Sequence, residues 1–257
     1  MSDIALSTGK SIPTINKYFD QLASAQDEVK KPLPGHKKIS LIADATYFGN
    51  EYGFLCFADG KRIIYCMEIE SENKLIFARS LRKIKQAGYN ISCVVIDGRI
   101  GIENAIHQIL PRIPIQMCHF HMKRIIQRII GSGLLKSGHV IANNLSDLMA
   151  KITLINGQDF IDEFFQIKAK HYLLMAQFSD YHHAEKCFAA IESIERYLPH
   201  LFSYQESPRE NIPNTTNFLE GIFSHVKEKI NIHRGLKIQR KKNAVKFILL
   251  NTPKYPK

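Results

Sequence analysis

The chain of 257 residues carries 35 Lys and Arg against 24 Asp and Glu, a formal net charge of +11, and is 45% apolar. That apolar content excludes a chain disordered throughout, and no run approaches the ~18 uncharged apolar residues of a membrane span, so no membrane partner is expected. The length suffices for one large or two modest domains, and the positive charge favours a polyanionic partner, nucleic acid foremost.

The opening stretch MSDIALSTGKSIP lacks a basic start followed by an apolar run, and the cysteines, five in number and therefore odd, read as reduced thiols. A cytoplasmic protein is expected, nucleoid-associated when bound to DNA. In IALSTGKSIPTINKYFDQL, Ala5, Gly9 and Ile15 are spaced four and six apart, with Phe19 following at helical spacing. A small residue between two helices, a glycine at their turn and an apolar residue on the second helix suit a DNA-binding helix-turn-helix. Pro13 fits the first turn of the second helix. Any amphipathic helix pair is the alternative. The segment 1–25 reads as a partial unit, since few residues precede Ala5. Prolines, a glycine and charges mark 26–36 as a linker.

Three strand-like runs follow, KISLIADATYF, YGFLCFADG and KRIIYCMEIES, with Asp59-Gly60 as a hairpin signal between the second and third. A helical stripe runs through Leu75, Ile76, Leu81 and Ile84 to Gly88. ISCVVID is an apolar strand of the kind buried on both faces. A short helix over 101–109, a strand in IPIQMC and a helix over 119–130 complete the region 37–131. The order β-β-β-α-β-α-β-α describes a mixed sheet with helices on its faces, whose first strand can pair with the fourth. Residues 132–206 lack strand signals and read as an all-helical insertion. In 207–257, a helix after IPNTTN, capped by Asn214 or Thr215, puts Phe218, Leu219, Ile222, Phe223, Val226 and Ile230 on one face. A basic tail follows it.

Three acids stand out. Asp44 lies within the first strand among apolar residues, where a carboxylate is costly unless a cation meets it. Asp97 follows SCVVI at the carboxyl end of the buried strand, where ligands of open α/β sheets gather. With the first and fourth strands as parallel neighbours the two can approach, and such a pair needs a cation between them. Glu220 lies on the polar side of its helix with Thr216 and Ser224, and Gly221 beside it leaves room for another chain. Alone, Asp97-Gly98 reads as a turn and Glu220 as a solvated helix residue. Together, three carboxylates without clustered histidines favour Mg²⁺ or Mn²⁺ over zinc, and two such ions suit phosphodiester chemistry. Asp59 and Asp147 are rivals better explained by a hairpin turn and a helix.

QMCHFHMKR packs Cys118, His119 and His121 together. A structural zinc site needs four ligands, usually with a second paired cluster, and Cys187 with His182-His183 has no finger spacing. A packed thiol and a hydrogen-bonded histidine at a helix start are the plain alternative, with Met122, Ile125, Ile126 and Ile129 facing the core.

The stretches IADATYFG, VVIDGRIGI, IQMCHFHMKRII and NTTNFLEGIFSHVKEKINIHRGL resemble Mutator-like bacterial insertion-sequence transposases, a branch of the DDE superfamily with a C-x-x-H signature. The resemblance covers roughly 37–240 and implies a ribonuclease-H-like α/β fold with a helical insertion between the second Asp and the Glu. It implies that Asp44, Asp97 and Glu220 bind two catalytic metal ions, which nick DNA at an element end and activate the freed 3′-hydroxyl. Cys118 and His121 are then accessory residues. Lys227, Lys229, His233, Arg234 and Lys237 are candidates for phosphate contacts, against the plain reading of a solvated charged helix face. The implied partners are double-stranded DNA, as element ends and target, and further copies of the chain in a homodimer or larger assembly. An inactive DNA-binding derivative and a ribonuclease-H-like nuclease without strand transfer are the alternatives.

Overall fold

The structure, a computed structural model, describes residues 9–21, 28–34, 38–99, 101–177, 184–232 and 237–252. Two compact units are distinguished: Met1–Ser92, Gly101–Arg112 and Asn217–Lys257 make the first, Cys93–Ile100 and Ile113–Thr216 the second.

In the first unit, helix α1 (Ile12–Gln21) starts where the Ser11 hydroxyl accepts the Thr14 N–H at 3.3 Å, with Pro13 in the first turn as the sequence predicts. Its Ile15 is buried. Ala5, and with it the first helix of the expected helix-turn-helix, lies outside the described residues. Strands β1 (Ile39–Phe48), β2 (Tyr52–Ala58) and β3 (Ile63–Ile69) form an antiparallel meander in which Asp44 faces Cys56 and Cys56 faces Cys66. The Asp59-Gly60 hairpin forms because Asp59 Oδ1 accepts the N–H groups of Lys61 and Arg62, both at 2.9 Å, while Gly60 takes a φ of +79°.

Alternation along the strands sends side chains to opposite faces. On one face Phe57 packs edge-on against Phe77 of α2 (Lys74–Gln86), ring centres 5.2 Å apart. Asn73 caps that helix by accepting from the Leu75 and Ile76 N–H groups, both at 3.0 Å. The other face carries Asp44, Cys56 and Cys66. It is covered by α10 (Asn217–Ile232), which touches β1, and α11 (Ile238–Asn251), which touches β3. The predicted apolar face of α10 is buried at Leu219, Ile222, Phe223, Val226 and Ile230. Arg240 of α11 holds Asp20 of α1 through two bonds of 3.1 and 3.2 Å, and that guanidinium draws the Asp20 carboxyl below its usual value.

Strand β4 (Ile91–Ile96) begins in the first unit, where the Ile39 N–H donates to Asn90 at 2.9 Å and the Ser92 hydroxyl donates to the Ile39 carbonyl at 3.2 Å. It continues into the second, pairing in parallel with β5 (Ile115–Met117). The strand order is β3-β2-β1-β4-β5, so the fold is α/β around a mixed five-stranded sheet. Helix α3 (Ile102–Ile109) returns to the first unit and packs on α2. Strand β5 is shorter than IPIQMC because Cys118 already serves as the N-cap of α4 (His119–Ile130).

The rest of the second unit is helical, as expected: α5 (Ser132–Lys136), α6 (Val140–Ala150), α7 (Gly157–Gln177), α8 (Ala184–Leu201) and α9 (Ser203–Glu206). Its core is built from Met122, Ile126, Leu145, Leu148, Phe160, Phe164, Ile191 and Ile194. On α4 the inward face is His119, Met122, Ile126 and Ile130, a rotation from the predicted stripe that leaves Ile125 and Ile129 only partly covered. Among the described residues no helix is long and apolar enough to cross a membrane.

Candidate active site

Asp44 stands in the middle of β1 with 5% of its surface exposed, and its Oδ1 accepts the Ala45 N–H at 2.8 Å. Glu220 lies in the first turn of α10, where the N-terminal end of the helix dipole favours an acid. Within the first unit these two side chains come together, with a carboxylate oxygen of each within 4.8 Å of the other. The cross-strand neighbour of Asp44 brings no charge: burial pushes the Cys56 thiol well up, and Cys66 and Asp44 push it further, so it stays protonated. A side chain added at Gly221, next to Glu220, would meet nothing within 4 Å, which agrees with the open approach expected there.

Asp97 belongs to the second unit, in the turn that follows β4. Its Oδ1 accepts the Arg99 N–H at 3.3 Å, a local turn contact of the kind the plain reading anticipates. Gly98 has a φ of +84°, its carbonyl accepts the Tyr197 hydroxyl, and a Cβ there would lie 2.4 Å from the Met117 sulfur. The positive φ calls for glycine, and any side chain there would also have to displace the end of Met117. Asp59 forms its hairpin and Asp147 lies exposed on α6.

The C-x-x-H residues converge on a residue that sequence reading assigned only to the polar side of a helix. Thr216, fully buried, immediately precedes α10. Its N–H donates to Cys118 Sγ at 3.3 Å, and its hydroxyl lies 3.5 Å from that sulfur and 3.4 Å from His121 Nδ1. All three residues lie in the second unit. Burial raises the Cys118 thiol and the bonds from Thr216 offset only part of that, so the sulfur acts as a neutral hydrogen-bonding group. The TTN run before the apolar stripe was the available signal, but it marks only a helix start.

His119 has a different place. It is fully buried between Phe202 and Tyr204, each ring centre 5.5 Å away, and Nε2 lies 2.6 Å from the Leu201 carbonyl. Burial holds it below the ordinary imidazole value, with the Leu201 carbonyl opposing that, so it is the neutral tautomer that donates. Gln116 binds the same carbonyl at 2.7 Å and accepts the Tyr204 N–H at 3.0 Å, so β5 and the start of α4 are tied to the end of α8.

Of the predicted phosphate contacts, Lys227 and Lys229 are exposed on α10 and Lys237 is exposed at the start of α11. Residues two apart point to different sides of a helix, so Lys227 and Lys229 do not share one surface. His233 and Arg234 lie outside the described residues.

Within the first unit Asp44 meets Glu220, and within the second Cys118 and His121 meet around Thr216. No match was found among curated proteins. The family model described as Transposase, Mutator family, matches residues 56–237, a span that contains Asp97, the C-x-x-H residues and Glu220, and the chain belongs to that family.

Proposed function

We propose that the chain catalyses metal-dependent DNA strand cleavage at the ends of an insertion sequence and transfers the freed 3′-hydroxyl to target DNA, with Asp44, Asp97 and Glu220 as its catalytic acids. The observation that carries this reading is the approach of the Asp44 and Glu220 carboxylates to within 4.8 Å. When both are ionised, carboxylates that close meet mutual repulsion. A divalent cation relieves it, and oxygen donors fit Mg²⁺ or Mn²⁺. Asp44 and Glu220, with Asp97 by family resemblance, would hold it. When bound, such ions make water or a 3′-hydroxyl a better nucleophile and stabilise the leaving oxygen.

The protein's own contribution is placement. The Ala45 N–H fixes the Asp44 carboxylate, and the helix that carries Glu220 starts from a threonine gripped by Cys118 and His121. Both C-x-x-H residues are therefore positioning residues in this reading. Lys227, Lys229 and Lys237 supply positive charge to DNA, two copies hold two element ends, and the β-β-β-α-β order supports a ribonuclease-H-like core.

Purified protein incubated with Mg²⁺ and DNA bearing the element's terminal repeats tests the proposal. Nicked and joined products are expected from wild type and none from Asp97→Asn. Equal cutting by Asp97→Asn sinks the acid assignment. Cutting without joining points to a nuclease, and binding without cutting points to a DNA-binding derivative.

A further inference from the structure

A groove of about 350 Å³ opens in the first unit at the far end of β1, walled by Tyr47, Phe48 and Tyr52 on one side and by Lys227, Ile230 and Lys241 on the other. Its position relative to the carboxylate pair follows from element geometry. Lys227 lies seven residues after Glu220, two helical turns or about 10 Å along α10. Phe48 lies four residues after Asp44 on the same face of β1, about 13 Å further on. Helix and strand therefore lead from the carboxylates to the groove, over the length of about three phosphates of a B-form strand.

The walls are preorganised. The Tyr47 ring lies against Gly53, where a Cβ would sit 2.6 Å from it, and its hydroxyl accepts the Glu72 N–H at 3.1 Å. Phe48 stacks on Tyr52 with ring centres 5.3 Å apart. The Tyr52 phenol is pushed up to about 12 by burial and by the nearby acids, so it adds no negative charge. Lys242 pairs with Glu68 at 2.6 Å. Lys227 and Lys241 have no such ion pair among the described residues, and the lining holds a single acid, Glu51.

We infer that this groove is a subsite for the phosphodiester backbone of a DNA strand running to or from the carboxylate pair, with Lys227 and Lys241 each meeting a phosphate. The inference rests on the DNA-processing reading above and names the place where that strand lies. Each lysine–phosphate contact releases condensed counterions and steepens the fall of affinity with salt, by about 0.7 per contact for single strands and about 0.9 for duplex.

The test is fluorescence anisotropy with the full chain and short labelled single-stranded and duplex oligonucleotides across a range of NaCl concentrations, with EDTA present. Lys227→Gln/Lys241→Gln lowers the slope of log affinity against log salt by about 1.4 on single strands or about 1.8 on duplex. Lys74→Gln/Arg82→Gln, which removes the same charge from exposed positions on α2, leaves the slope in place. A slope unchanged in the groove variant, or lowered equally by the control, overturns the inference. Cutting plays no part in this readout, so a wild-type protein that binds but does not nick defeats the catalytic proposal and leaves the groove measurement standing.

Discussion

The Thr216 hydroxyl lies 3.4 Å from His121 Nδ1, and the residue after this threonine begins the helix that carries Glu220. The contact spans 95 positions of sequence and gives the C-x-x-H pair a physical task. Replacing the hydroxyl with a methyl group keeps the shape and removes one partner from each of Cys118 and His121. Thr216→Val is expected to cost about 1 kcal/mol in urea unfolding, since a buried group loses its bond. Cutting should fall much further than stability, through kcat rather than KM, and Thr216→Ser should restore most of it. Parallel losses of rate and stability in both variants would assign the threonine to folding alone.

The carboxylate pair makes a prediction about stability that needs no substrate. Asp44→Asn removes a repelling charge while its side-chain oxygen can still accept the Ala45 N–H. In EDTA the variant should be at least as stable as wild type. Mg²⁺ or Mn²⁺ should raise the wild-type melting temperature, because a ligand of the folded state stabilises it by mass action, and should do little for the variant. A wild-type melt indifferent to both ions speaks against a metal at this pair.

Gly98 offers a steric test of the turn that bears Asp97. Gly98→Ala sets a Cβ 2.4 Å from Met117 Sδ at a φ of +84°. A loss of about 2–4 kcal/mol is expected, part from the backbone and part from the clash. Combining it with Met117→Ala should show coupling, since trimming the methionine relieves the clash and leaves the backbone cost. Strict additivity of the two substitutions in denaturant melts would contradict the contact.

Buried histidines set an acid limit. Burial holds His119 and His171 below their ordinary imidazole values, with the Leu201 carbonyl opposing the shift at His119 and His139 adding to it at His171. Below about pH 6.5 the unfolded chain takes up protons that the folded chain refuses, so stability is full above that pH and declines as pH falls through it. Urea midpoints between pH 8 and pH 5 should drop, and His119→Gln should flatten the drop while lowering the plateau. A midpoint constant across that interval would contradict neutral buried imidazoles.

Much of this was legible in the sequence because the signals are local. Asp59-Gly60 fixes a hairpin from within four residues, the apolar run ISCVVI ending in Asp97-Gly98 declares a buried strand and its turn, and the spacing from Leu219 to Ile230 gives the inner face of α10. The carboxylate pair was visible only as two acids whose residue types suited one chemistry. What stayed hidden depends on contacts between distant positions. Thr216 is a small polar residue at a helix start until Cys118 and His121 are seen to hold it, 98 and 95 positions away. His119, which the C-x-x-H spacing passes over, owes its place to the Leu201 carbonyl and two aromatic rings from the end of the helical unit.

The division of the chain also has a consequence for its birth on the ribosome. Residues 93–100 and 113–216 complete the second unit before the helix that carries Glu220 is made, while the first unit waits open with its meander already synthesised. Only when residues 217–251 emerge can α10 and α11 cover the face that holds Asp44. Chains that stall or are clipped before that point can own a finished helical unit and still lack the second carboxylate. The carboxylate pair of Asp44 and Glu220 is therefore among the last features of the first unit to be completed.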